Sequence, residues 1–335
     1  MSKYFSIKLN LKGKPLYGRL LFFWLARLFR RNSIFILLIF TYCHNRPSLE
    51  TNKNNNSDFK LTSSSEIIIE KSWAQQPNGY VYPIDIKVPE SVEPIEGFPI
   101  CVLLHANGSN GRRIINQFSS VLDDHILIAP TGYLNSWNIC DERSNAPDLE
   151  MVDELVNTLS NYSNINLNKI RILGSSNGAG LANNIFIQNE NPNIDIICAV
   201  VSHLNIPQYH NNNFYKYSTV TNPMSAFCGY EEITNPISSR KYLSISNIND
   251  PTIPYLGGNS KVGLDFLNAE DAIFYIAKNQ GFTGDKLPPE GLALGNPVIF
   301  EYSYLSGDVV HIKGNAGHSI NPSQLDYLRT FFQNK

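Results

Sequence analysis

Ser176 lies in Gly174-Ser175-Ser176-Asn177-Gly178, directly after the apolar run Ile170-Arg171-Ile172-Leu173. The pattern is G-x-S-x-G, set between a strand-like stretch and the small residues that open a helix. A turn of this kind lifts a serine hydroxyl clear of the backbone, and its glycines stand where a Cβ would collide with the neighbouring strand or helix. Ser175 lacks glycines at both flanking positions, so Ser176 is the candidate nucleophile. A serine hydroxyl is weak at neutral pH and needs a base, with a third group to orient that base. Among the seven histidines, His318 sits in the small-residue loop Gly314-Asn315-Ala316-Gly317-His318-Ser319, between the last predicted strand and the last predicted helix. Asp250, in Asn249-Asp250-Pro251, follows the predicted strand Tyr242 to Ser246 and is the candidate acid; Asp265, its rival, falls inside a helical pattern. An oxyanion needs two backbone N–H donors. Asn177 supplies one directly after the nucleophile. Asn107, in the loop His105-Ala106-Asn107-Gly108-Ser109-Asn110-Gly111, is the choice for the other. The chemistry these residues could perform is acyl transfer through a Ser-His-Asp triad. The competing readings are a plain strand–helix turn, a turn aspartate and a structural loop histidine.

The elements that must carry these residues follow from periodicity. Pro99 to His105 and Ile126 to Pro130 are continuous apolar runs, as in strands buried on both faces of a parallel sheet. Further strands fit Ile67-Ile68-Ile69, Gly79 to Val88, 169 to 173, Ile194 to Ser202, Tyr242 to Ser246, Val298 to Tyr302 and Val309 to Ile312, with a turn at Gln76-Pro77-Asn78-Gly79. Helical spacing covers Asp148 to Tyr162, Asn177 to about Asn189, Val262 to Asn279 and Gln324 to Phe332. Strands alternating with helices predict an α/β fold, a doubly wound and mostly parallel sheet. Residues 204–240, rich in Asn, Tyr and Pro, are expected to form an irregular lid over the sheet's C-terminal edge, where ligands bind in such folds.

With the order Ser176, Asp250, His318 in place, the chain resembles the polyhydroxybutyrate depolymerase and feruloyl esterase group of the α/β-hydrolases over roughly residues 79–335. The resemblance is carried by Leu103-Leu104-His105, by Ala129-Pro130-Thr131-Gly132 leading to Ser136-Trp137-Asn138, and by Val152-Asp153. It continues through the elbow, through Asn249-Asp250-Pro251-Thr252-Ile253-Pro254-Tyr255 with Gly257-Gly258, and through Gly317-His318. It implies an exported serine esterase acting on carboxylic esters, of polyhydroxyalkanoate or feruloyl/acetyl type, without metal or organic cofactor. It also implies His105, Trp137 and Tyr255 as substrate-binding residues, although Trp137 reads equally as core. Three positions depart from the group. Ala106 replaces the glycine that usually follows the loop histidine, Ser246-Asn247 replaces His-Gly before the acid, and Ile320-Asn321-Pro322 replaces a Trp-Pro pair after the histidine. Rival functions are a peptidase or lactonase of the same fold, and a ligand-binding lipoprotein without turnover.

The chain has 335 residues with 42% hydrophobic and 17% charged, enough apolar sequence for one large core. A net charge of -2 and no long basic run in the globular part recruit no nucleic acid. The partner is then a small-molecule or polymeric ester, and oligomeric state is not readable. Residues 1–43 read as a targeting segment: Arg27, Arg30 and Arg31 precede a short apolar run at 34–42 that ends at Cys43. Cys43 is a candidate for lipidation, with a signal anchor as the rival. Export, secreted or membrane-anchored by that segment alone, follows. Residues 44–65 read as a polar tether to a domain spanning 66–335. Cys101 and Cys198 fall in apolar runs and are expected as buried thiols. Cys140 and Cys228 lie in loops; free thiols are the base expectation, and a disulfide is the alternative if the protein is exported.

Overall fold

The structure, a computed structural model, describes residues 59–218 and 227–335. The targeting segment, Cys43 and the tether up to residue 58 lie outside the described residues. Residues 59–65 belong to the folded part, so the domain begins earlier than residue 66. Leu61 is buried, and its N–H and C=O are both held by the side chain of Asn164.

The chain enters through a hairpin of β1 (Glu70–Trp73) and β2 (Gln76–Val81). The turn falls at Ala74-Gln75, and Gln76 to Gly79, expected as the turn, run in β2. Ile67 and Ile69 are buried on the way in, and the Ile69 carbonyl accepts from Tyr82 N–H, although no strand is formed there. There follow β3 (Ile84–Lys87), β4 (Phe98–Leu104), α1 (Gly111–Phe118), β5 (Ile126–Pro130), α2 (Asp148–Thr158), β6 (Ile165–Ser175), α3 (Asn177–Gln188) and β7 (Ile194–Val200). After them come β8 (Tyr209–His210), β9 (Asn213–Tyr217), β10 (Tyr230–Thr234), β11 (Lys241–Asn247), β12 (Gly258–Asn259), β13 (Asp265–Phe266) and α4 (Ala269–Asn279). The chain closes with β14 (Leu292–Leu294), β15 (Ile299–Tyr304), β16 (Val309–Gly314) and α5 (Pro322–Asn334).

Among the described residues the main sheet has nine strands in the order β14-β15-β16-β11-β7-β6-β4-β5-β3. β5, β4, β6, β7, β11 and β16 run parallel, and the antiparallel strands lie at the two flanks. Successive side chains of a strand point to opposite faces, and β4 shows the consequence. Ile100, Val102 and Leu104 join the core under α2, α3 and α4, while Cys101 and Leu103 join the core under α1 and α5. That two-sided burial is why these strands read as unbroken apolar runs.

Helix α1 had no counterpart in the periodicity. Asn110 caps it by accepting from Arg113 N–H, and Ile114, Ile115 and Phe118 are its buried face. Helix α4 begins at Ala269, seven residues later than the pattern from Val262 predicted. Gly263 takes φ +82°, and Asn268 accepts from the N–H groups of Glu270 and Asp271, so the helix cannot start upstream of that cap. Asp265 therefore stands in β13 rather than in a helix. In the region 204–240, β8, β9 and β10 form a small antiparallel sheet. It packs along α3: Phe214 contacts Phe186, and Tyr230 Oη is held by Asn184.

Candidate active site

Each candidate triad residue sits at the C-terminal end of a parallel strand, β6, β11 or β16, and the order of those strands brings the three ends together. Ser176 has φ 54° and ψ -116°, a strained backbone for a residue with a side chain. The surroundings enforce it. Ser176 N–H donates to Val200 O at 2.9 Å, and its carbonyl accepts from Ala179 and Gly180 as α3 starts. A Cβ on Gly174 would meet Gly178 O at 2.0 Å, and one on Gly178 would meet Leu104 O at 2.0 Å. Only glycine permits helix and strand to approach this closely.

His318 Nε2 lies 2.7 Å from Ser176 Oγ, and Nδ1 lies 2.7 Å from Asp250 Oδ2. A carboxylate can only accept, so Nδ1 carries the proton and Nε2 is free to take one from the serine. Asp250 Oδ1 accepts from Thr252 N–H at 2.8 Å and Ile253 N–H at 3.0 Å. Burial pushes this carboxyl up, but the His318 hydrogen bond and the two backbone N–H groups outweigh it and hold Asp250 below its usual range. An ionised Asp250 is what an imidazolium forming at His318 would need beside it.

Ser176, Asn107 and Asn177 line one pocket of about 470 Å³. Its apolar wall includes Ile139, Ile253, Leu264 and Phe266, and Asp141, Glu142, Arg143 and Lys261 are its charged lining. Among the described residues of 204–240, Asn205 reaches it, and segments 139–143 and 261–266 supply much of the remaining wall. Asn107 N–H has no acceptor among the described residues, and the first amides of α3 have none within the helix. Ala106 does not take a positive φ, so its methyl group is accommodated where the resembled group has glycine.

The three residues expected to bind substrate do not border this pocket. His105 is fully buried; its Nε2 accepts from Gly132 N–H at 3.0 Å and its Nδ1 donates to Ala106 O at 2.8 Å. Burial lowers its pKa, in keeping with a neutral ring. Trp137 is fully buried and donates from Nε1 to His105 O at 2.8 Å. Tyr255 is buried, with its hydroxyl 3.0 Å from both Glu270 Oε1 and His311 Nε2. His105 and Trp137 fasten loops beside the site, and Tyr255 ties its loop to α4 and β16. Cys140 and Cys228 form a disulfide, which corrects the expectation of free thiols there. Cys101 and Cys198 are buried and unpaired.

Two residues near the triad carry more than their sequence positions signalled. Asn247 is the second residue of Ser246-Asn247, the pair that stands where the resembled group has His-Gly. Its Nδ2 donates to Gly317 O at 3.0 Å and Ser319 O at 2.6 Å, gripping the chain on either side of His318. Gln324, part of the capping box of α5, donates to Asn247 Oδ1 at 2.9 Å and fixes the amide's orientation. Glu142 accepts from Ile139 and Cys140 N–H and from Asn177 Nδ2. A single Asn at a strand end or Glu in a loop carries no periodicity, so nothing local in the sequence marks these roles.

No family model matches the chain, and no curated protein matches its sequence. Solved structures do resemble it. Acetyl xylan esterase from Aspergillus awamori aligns at a TM-score of 0.50 and 15% identity, over 81% of this chain and 100% of that one. Bacillus cereus carboxylesterase aligns at 0.48 and 11%, over 76% and 94%. Zea mays acyl-protein thioesterase 2 aligns at 0.42 and 16%, over 75% and 98%. The sheet order and the first of these likenesses agree: the chain has the α/β-hydrolase fold.

Proposed function

We propose that this protein is a serine hydrolase of carboxylic esters. The observation that carries the reading is the unbroken relay Ser176 Oγ–His318 Nε2, His318 Nδ1–Asp250 Oδ2, opening on a pocket with two candidate oxyanion donors. An ester-cleaving enzyme is among the structures that share its fold. In the proposed cycle Ser176 Oγ attacks the ester carbonyl while its proton passes to His318 Nε2. Asp250 holds the imidazole tautomer and stabilises the imidazolium. The N–H groups of Asn107 and Asn177 receive the oxyanion. His318 returns the proton to the leaving alcohol, and an acyl-enzyme remains. Water, deprotonated by the same histidine, then releases the acid and regenerates the serine.

The resemblance to the polyhydroxybutyrate depolymerase and feruloyl esterase group supports short hydroxyacyl, feruloyl or acetyl esters as substrates. The pocket, apolar on one wall and charged elsewhere, suits an ester of modest size with a polar alcohol portion. Export, with or without a lipid on Cys43, is supported by the Cys140–Cys228 disulfide, since such bonds persist in oxidising compartments.

The test is hydrolysis of p-nitrophenyl acetate and butyrate together with labelling by a fluorophosphonate. Wild type hydrolyses both esters and is labelled at Ser176, and Ser176→Ala loses both while melting at the wild-type temperature. An unlabelled wild-type protein would overturn the reading in favour of a ligand-binding protein. Labelling without ester turnover would move it to peptide or lactone substrates.

A further inference from the structure

Both sides of the candidate oxyanion hole hang on one segment, residues 132–142. On the Asn107 side, Trp137 Nε1 holds His105 O at 2.8 Å, Gly132 N–H holds His105 Nε2 at 3.0 Å, and Asn135 O holds Gly108 N–H at 2.8 Å. On the other side, the Asn177 side chain accepts from Trp137 N–H at 2.7 Å and donates to Trp137 O at 3.1 Å. The segment's far end closes on Glu142. Its Oε2 receives the N–H groups of Ile139 at 2.9 Å and Cys140 at 2.6 Å, and its Oε1 receives Asn177 Nδ2 at 3.3 Å. One carboxylate thus ties the pocket wall to the residue after the nucleophile. The two donors come from loops far apart in sequence, so their separation depends on what joins them.

We propose that Glu142 is a positioning residue that, through Asn177 and the 132–142 segment, sets the spacing of the two oxyanion donors. The inference rests on the ester-hydrolase reading above. A donor moved by a fraction of an ångström still lets substrate bind but stabilises the oxyanion less, so the loss belongs in kcat and not in KM.

The isosteric variant Glu142→Gln separates the parts of the latch. Its single side-chain oxygen still accepts from Ile139 and Cys140, but its NH2 group now faces the NH2 group of Asn177, donor against donor. The expected result is a fall in kcat of about tenfold with KM within about twofold, smaller than the loss on deleting an oxyanion donor outright. A trifluoromethyl ketone adds Ser176 Oγ to its carbonyl, the serine proton passing to His318, and places an oxyanion in the hole. Its inhibition constant should rise by the same factor as kcat/KM falls. Asn177→Ala cuts the link from its other end while leaving the backbone N–H. It also removes both bonds to Trp137, so its loss should be at least as large, and the double variant should be no worse than Asn177→Ala alone. An unchanged kcat, a loss confined to KM, additive losses, or an unshifted ketone affinity in folded variants would each overturn the proposal. Fluorophosphonate labelling of wild type keeps the readings apart: labelled wild type with unaffected variants overturns the positioning role alone, and unlabelled wild type overturns the hydrolase reading and this inference with it.

Discussion

Asn247, from the Ser246-Asn247 pair that stands where the resembled group has histidine–glycine, supplies the site with an amide that grips both flanks of His318. The amide is fully buried, so its two donors have no water to turn to, and Gln324 occupies its oxygen. Truncation to alanine would leave two carbonyls without partners and release the histidine loop. Asn247→Ala should lower kcat for a p-nitrophenyl ester by about tenfold to a hundredfold, by the cost of about 1–3 kcal/mol for buried groups left unpaired. Asn247→Asp should do no better, because a carboxylate cannot donate to those carbonyls. Steady-state kinetics on both variants, with melting curves to show that they fold, checks this. The candidate triad was legible in the sequence because each member stands at a place that chemistry would demand: an elbow, a strand end, a small-residue loop. The supporting residues were not. His105, Trp137 and Tyr255 lie in motifs that suggest contact with substrate, and the sequence does not reveal that their polar atoms are spent on bonds within the protein.

At the scale of elements, the turn from β6 into α3 is fixed by contact distances rather than by preference. A methyl group on Gly178 would enter Leu104 O at 2.0 Å, and that oxygen belongs to a central strand that cannot withdraw. Gly178→Ala should therefore cost at least about 3 kcal/mol or leave no soluble protein. Gly180, two residues on, meets only the flexible side chain of Ile139 at 3.3 Å, and Gly180→Ala should stay within about 1 kcal/mol of wild type in urea denaturation. Equal effects at the two positions would contradict this account of the elbow. The parallel strands were readable because burial on both faces makes them continuously apolar. Elements outside that rule were misread: β2 contains a Pro and a Gly that look like a turn, and α1 is too short for a clear period. The cap at Asn268 outweighed the apolar spacing that begins at Val262.

For the whole molecule, the fold reaches further towards the N-terminus than the change in composition suggests. Leu61 is 1% exposed, and both its backbone polar groups pair with Asn164. A chain starting at residue 66 should be less stable in urea denaturation than one starting at residue 59 by about 2–4 kcal/mol, from the lost burial of one leucine and the lost partners of Asn164. Indistinguishable curves for the two shortened chains would return residues 59–65 to the tether. The polar composition around this stretch hides the anchor, since a single buried leucine leaves no pattern.

The ends of β6, β11 and β16 deliver Ser176, Asp250 and His318 in the order in which a ribosome would make them. On the proposed reading, the candidate nucleophile emerges first and stays without its base until the last parallel strand has joined the sheet beside β11. A nascent chain, or one still threading across a membrane, would hold an unactivated serine and could not attack esters around it. Hydrolysis by the proposed triad would begin only once the C-terminal segment has been delivered, so on that reading the place where the sheet is finished governs where activity starts.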